Sequence, residues 1–195
     1  PLSLRRRQLR EAARRTRLDL DREVEPVRLF EFAESLAEQL LPLEQAAIDG
    51  ALPTRIVHND AKLDNLLFDA AGRAVCVVDL DTVMPGIAHY DIGDSLRTLV
   101  PDRVEDDPDA EGIELDMERH GAYLEGYLER ADLEPHERRM LPYAAPYMAC
   151  IMGVRFLADH LAGNVYYRTA RPGQNLDRAR NQLILARKFL HAAPL

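Results

Sequence analysis

Between residues 58 and 97 the chain crowds polar residues into three clusters. The first is His58-Asn59-Asp60-Ala61-Lys62-Leu63-Asp64-Asn65. A carboxylate follows the β-prone Ile56-Val57, with a lysine two residues on and an asparagine five on. Transfer of a phosphoryl group needs such a set. An aspartate orients or deprotonates the attacking hydroxyl, a carboxamide and a carboxylate hold Mg²⁺ against the phosphates, and a cation offsets charge on the moving group. Asp60 fits the base, Asn65 a metal ligand and Lys62 the cation. The second cluster, Val77-Val78-Asp79-Leu80-Asp81-Thr82, ends a hydrophobic strand on an aspartate, where a second metal ligand would sit. The third, His89-Tyr90-Asp91-Ile92-Gly93-Asp94-Ser95-Leu96-Arg97, opens a helix on Asp91. That carboxylate can accept hydrogen bonds from the backbone of the first loop, holding Asp60 in place without reacting.

Plainer readings stand beside these. His58 alone is a packed, hydrogen-bonded histidine, and it stays structural in the reading adopted here. Asp64 and Asp69 read as turn and surface residues. The spacing H-x-D-x-K-x-x-N equals that of the protein-kinase catalytic loop. Asp79 follows Asn65 by 14 residues, room for one hairpin. A competing motif lies in the same run: Val77–Thr82 also fits hhDxDxT, the nucleophile motif of haloacid-dehalogenase-type phosphatases, with Asp79 phosphorylated and Asp81 as acid/base. That fold needs further parallel strands and a later lysine, and only Lys188 follows.

The elements that must position these groups follow from periodicity. Leu29, Phe32, Ala33, Leu36, Leu40 and Leu43 recur at helical spacing, so 28–49 reads as an amphipathic helix, with Pro42 kinking or ending it and Gly50 closing it. Arg55–His58, Leu66–Phe68 and Ala74–Val78 read as strands, the last two as a hairpin around Asp69-Ala70-Ala71-Gly72. Pro85-Gly86 reads as a break, with Asp91 capping a helix to about Leu99. Residues 102–118, with nine acids against one arginine, read as a solvated loop entering a helix near Leu115–Arg130. Ala144–Leu161 is apolar nearly all round and reads as a buried helix. Asn175–His191 reads as the last one.

Composition bounds the whole. At 195 residues, 47% hydrophobic, 30% charged and net charge −8, this is a globular chain and not a general nucleic-acid binder. Of the 25 basic residues only Lys62 and Lys188 are lysines, and the first glycine is Gly50. Nine arginines and five acids in residues 1–28 read as a solvated helix face. Cys76 and Cys150 read as buried reduced thiols. No apolar run approaches the ~18–20 residues of a membrane span, and no secretory signal is visible, so no membrane partner and a cytoplasmic location are expected. The chain begins on Pro1 rather than Met, which suggests a piece of a longer protein.

HNDAKLDN, VVDLDTVMPG and HYDIGDSLR resemble the motifs of the aminoglycoside phosphotransferase and choline kinase superfamily. DLDTVMPG with YDIGDSLR, and GVRFLADHLAGNVYYRTARPGQNLDRARNQLILARKF, look most like its N-acetylhexosamine 1-kinase branch. The resemblance covers about 55–190. It implies an ATP- and Mg²⁺-dependent kinase acting on a sugar hydroxyl, O1 of an N-acetylhexosamine, or otherwise on an aminoglycoside, choline or amino alcohol. It implies Asp60 and Lys62 as catalytic, Asn65 and Asp79 as Mg²⁺ ligands, and His58 and Asp91 as structural supports. Asp81, Arg155 and Tyr166 would bind substrate. Such a fold carries an ATP-binding β lobe ahead of the catalytic loop, but residues 1–54 read as helix and no lysine precedes Lys62. The expectation is an α+β, mostly α, kinase-like C-terminal lobe with a small catalytic hairpin. Residues 1–54 form its helical start, 55–195 its catalytic and substrate-binding part, and the ATP lobe is absent. Alone, such a lobe is expected to be inactive and to expose apolar surface where the missing lobe would sit. Nothing identifies an oligomer.

Overall fold

Ala144–Leu161 (α6) is the axis of the molecule, because a helix with apolar side chains on nearly every face is stable in water only when other elements cover it. The computed structural model describes residues 1–16 and 24–192, and the stretch 17–23 of the arginine-rich run lies outside them. Around α6 pack α1 (Leu2–Thr16), α2 (Val24–Ile48), α3 (Ala88–Leu99) and α7 (Gln174–Ala192). Met117–Arg130 (α4) and the short Pro135–Arg139 (α5) are the other α-helices among the described residues. Tyr147, Cys150, Val154 and Leu157 of α6 have no exposed surface. Burial pushes the Cys150 thiol up to about 12, which leaves it a protonated, inert packing group. The window Leu141–Leu161 reaches the length and mean hydropathy, 1.2, of a membrane-crossing helix, which the sequence reading overlooked. Here it is the core helix.

Two close approaches set the helix distances. A Cβ on Gly153 would lie 2.7 Å from the Leu183 side chain of α7, and one on Gly93 would lie 2.2 Å from the Ala144 carbonyl oxygen. Only glycine lets α3 and α7 come this near to α6.

The expected helices form, with instructive departures. α2 runs through Pro42 to Ile48, so the proline neither ends it early nor stops its packing. It closes at Gly50 (φ +72°) in a Schellman motif, with Ala51 N donating to Ala46 O and Gly50 N to Ala47 O. α1 is not merely a solvated face. Leu2 and Leu9 are buried against the body, and Arg6 is 8% exposed and ion-paired to Glu34 at 2.6 Å and Glu38 at 2.5 Å. A guanidinium can be buried there because two carboxylates of α2 meet it.

The β part is small and comes in two pieces, not one hairpin. β2 (Leu66–Phe68) and β3 (Ala74–Val77) pair antiparallel, Leu66 opposite Val77, as the turn residues predict. β1 (Arg55–Val57) pairs antiparallel with β4 (Met84–Gly86). The break expected at Pro85-Gly86 is therefore a strand. In a two-stranded sheet both strands are edges, and an edge tolerates a residue without an N–H. Unlike Cys150, Cys76 is exposed, a correction to its reading, because all four residues of β3 are exposed.

Candidate active site

The loop between β1 and β2 carries Asp60, Lys62 and Asn65, and the structure brings the three together. Lys62 Nζ donates to Asp60 Oδ2 at 2.8 Å. Asn65 Nδ2 donates to the Asp60 carbonyl oxygen at 2.8 Å and to its Oδ2 at 2.9 Å. Burial pushes the Asp60 carboxyl up, but the hydrogen bonds from Lys62 and Asn65 outweigh it and hold the pKa below the ordinary 3.8. The same bond from Asp60 raises the Lys62 pKa. At neutral pH this is a carboxylate beside an ammonium.

α3 holds the loop from below. Asp91 Oδ2 accepts from His58 N and Oδ1 from Asn59 N, both at 2.7 Å. Asp91 does not cap α3, as the sequence suggested, because Ile87 is the N-cap and Asp91 lies inside the first turn. Its carboxylate is spent on the loop. Ser95 Oγ donates to Ala61 O at 2.7 Å, and Leu63 N donates to Thr98 Oγ1 at 3.2 Å. The His58 side chain is structural in its contacts: Nε2 lies 3.0 Å from Val78 O, tying the loop to the end of β3. Thr82 Oγ1 donates to His58 O at 2.6 Å.

Asp79 lies two residues past the end of β3 and is exposed. Val78 N donates to Asn65 O at 3.0 Å, so Asp79 follows a residue bonded to Asn65. Asn59 and Asp79 both have φ +62°, a left-handed conformation that costs most residues energy and that, after glycine, Asn and Asp tolerate best. Strained backbone thus flanks Asp60 and carries Asp79. Asp81 lies in the exposed turn after it, Leu80–Thr82.

Arg155 and Tyr166 sit far along the chain, yet they share one cleft of about 720 Å³ with Asp60 and Lys62. His58, Asn65, Asp79, Asp81 and Asp91 do not line it. The Arg155 guanidinium lies within cation–π reach of Tyr166 and Tyr167, its Cζ 5.8 Å and 5.3 Å from the ring centres. Tyr167 lies 4.6 Å from Phe156, and Arg178 lies 5.5 Å from Phe156 on the next layer. Burial raises the Tyr167 phenol to about 12, so it remains a donor.

Sequence reasoning missed two supports of this cleft. Asp159, 6% exposed, accepts from the backbone N–H of Val165, Tyr166 and Tyr167 and from Asn175 Nδ2, and so fixes the loop that presents Tyr166. Arg97 is buried between Asp94 at 2.6 Å and Glu105 at 2.9 Å, and burial pushes the Asp94 carboxyl up. The signal for the Asp94–Arg97 pair was present as opposite charges three apart on a helix. For Asp159 there was none beyond its place near a helix end.

Asn65 and Asp79 suit Mg²⁺ by donor chemistry. The Asn65 nitrogen is engaged with Asp60, which leaves its carbonyl oxygen as a hard ligand, and Asp79 offers an exposed carboxylate. Among the described residues no three His, Cys, Asp or Glu side chains gather tightly enough to hold a metal by themselves. The family model described as the phosphotransferase enzyme family (APH) matches residues 1–143 of the 195, a span that takes in Asp60, Asn65, Asp79 and Asp91 and stops before Arg155. With its three polar clusters joined into one loop-and-helix assembly and most of its length matched, the chain belongs to the phosphotransferase enzyme family.

Proposed function

We propose that this chain is the kinase-like, acceptor-binding lobe of an ATP- and Mg²⁺-dependent small-molecule kinase whose acceptor is a sugar hydroxyl, O1 of an N-acetylhexosamine. The observation that carries the reading is the single cleft shared by the Asp60–Lys62 pair and the Arg155–Tyr166 wall. Asp60, ionised and held by Asn65 and Lys62, accepts the proton of the attacking hydroxyl or aims it in line with the phosphorus. Lys62 offsets negative charge on the transferred group. Asn65 and Asp79 would hold Mg²⁺, which when bound would neutralise charge on the phosphate oxygens. His58 and Asp91 keep the loop in register. Tyr166 and Arg155 offer an aromatic face and a fixed donor fork to a sugar ring and its N-acetyl oxygen, and Asp81 supports the metal or the sugar. The choice of an N-acetylhexosamine leans on the motif resemblance. A cytoplasmic location belongs to the same reading, as does a further ATP-binding lobe.

The test is transfer from labelled ATP by the full-length protein to N-acetylglucosamine, N-acetylgalactosamine, choline and an aminoglycoside. Transfer to the hexosamines supports the reading, and transfer only to the cationic amines reassigns the acceptor. Asp60→Asn should lower turnover by about 10³-fold or more with the fold intact, since it removes the proton acceptor while keeping its shape. Near-native turnover in that variant would remove Asp60 from the chemistry.

A further inference from the structure

A second cavity of about 640 Å³ lies between α1 and the C-terminal half of α6. Arg155, Tyr166 and Tyr167 line both it and the acceptor cleft, so they form the wall between the two. Five charged residues face the second cavity: Arg5, Glu11, Arg15, Arg155 and Asp159. Glu11 is ion-paired with Arg15. Both oxygens of Asp159 are taken by three backbone N–H groups and Asn175. Arg5 and Arg155 remain, and among the described residues neither has a carboxylate partner. Arg5 donates to Gln8 Oε1 at 2.9 Å, and Arg155 reaches only Met152 Sδ at 3.5 Å. Most of each donor fork is unspent.

Both guanidiniums are half-buried. Burial, and then the Arg155 charge, push the Arg5 pKa down. Like charges in a partly desolvated space repel, and a small oxyanion between them would turn that repulsion into two charge-assisted contacts. The Tyr166 and Tyr167 rings lie against the Arg155 guanidinium and restrain it beforehand.

We propose that Arg5 and Arg155 form an oxyanion site in the cavity between α1 and α6, one that takes a sulfate, phosphate or carboxylate group. This goes beyond the proposed activity, since it requires neither phosphoryl transfer nor a particular acceptor. The group could arrive as a free inorganic ion or on an acidic sugar.

The test titrates the protein with inorganic sulfate, and separately with glucuronate and with glucose, at an ionic strength held constant with chloride. The readouts are the Arg5 and Arg155 side-chain N–H resonances and the thermal midpoint. Saturable sulfate binding that shifts both resonances and raises the midpoint is expected. Arg5→Gln should weaken it about tenfold or more, the loss of one charged hydrogen-bonding partner. Arg15→Gln, which removes an arginine already paired to Glu11, should change it less than about twofold. Glucuronate binding more tightly than sulfate, with glucose not binding, would identify a sugar-borne anion, and sulfate binding alone a free one. Absence of saturation, or equal binding in Arg5→Gln, overturns the site. Should Arg5→Gln fail to fold, shifts in the wild-type protein that spare Arg5 and Arg155 overturn it as well.

Discussion

Leu157 and Val75 are both aliphatic residues in regular secondary structure, yet the first has no exposed surface and the second is 61% exposed. The contrast runs through two regions. In the helical body, α1, α2, α3 and α7 bury their apolar stripes against α6, and close packing decides positions. On the β face, Ile56, Leu67, Phe68, Val75, Val77 and Met84 stand exposed, and the strands gain little from burial. Polar ties to α3 and within the loop help to hold this face: Asp91 to two backbone N–H groups, Ser95 to Ala61, His58 to Val78. The candidate loop residues Asp60, Lys62 and Asp79 therefore ride on a part of the chain that burial stabilises least, fastened to a part that burial stabilises most.

Substitutions can break or sharpen this contrast. Leu157→Ala, in the body, should cost about 2–5 kcal/mol in chemical denaturation, since it removes buried methyls and leaves a cavity. Asp91→Ala should cost about 1–3 kcal/mol, because two backbone donors lose their acceptor. Its turnover should fall further than its stability does, and Asp91→Asn should recover part of both. An Asp91→Ala enzyme with unchanged turnover would show that the tie does not set the site.

Acid should separate the two regions as well. Burial depresses the His89 pKa below 6.5 in the folded protein. Above 6.5 the imidazole is neutral in both states, and its contribution is full. As pH falls below 6.5 the unfolded chain takes the proton first, so stability is lost until the folded pKa is passed. Denaturation midpoints between about pH 7 and 5 should drop in the wild type and drop less in His89→Gln. The Asp60 pair behaves differently: its carboxyl lies below 3.8 in the fold, so its contribution survives to more acidic pH than that of His89. The smallest effect is expected at Val75→Thr on the exposed strand, within about 0.5 kcal/mol of wild type. A larger loss would mean that something covers this face in solution.

Legibility in the sequence followed the same division. α6 has the bounds read from its all-round apolar character, Ala144–Leu161, because burial leaves a compositional mark. The β2–β3 hairpin was legible from its turn residues. β4 was not, because Pro-Gly reads as a breaker and only the partner strand shows that the edge position is harmless. The burial of α1 was hidden behind its arginines, since the Glu34 and Glu38 that neutralise Arg6 come from another helix. The apolar run around Cys76 suggested a buried thiol, and no local signal distinguishes that from an exposed one. Within the candidate site, the loop was readable because its residues are close in sequence. The joining of Asp60 with Arg155 in one cleft depends on how α6 crosses beneath α3, which spacing does not encode.

That crossing gives Gly93 a consequence of its own. α3 meets α6 there through bare backbone, with no room for a Cβ beside the Ala144 carbonyl. A side chain at such a junction could change rotamer and let the helix settle by fractions of an ångström, but two main chains in contact have no such play. Gly93 lies two residues after Asp91, so the carboxylate that grips His58 and Asn59 is referenced to the core by a rigid stop. The position of Asp60 in the cleft it shares with Arg155 is thereby gauged by one missing carbon atom.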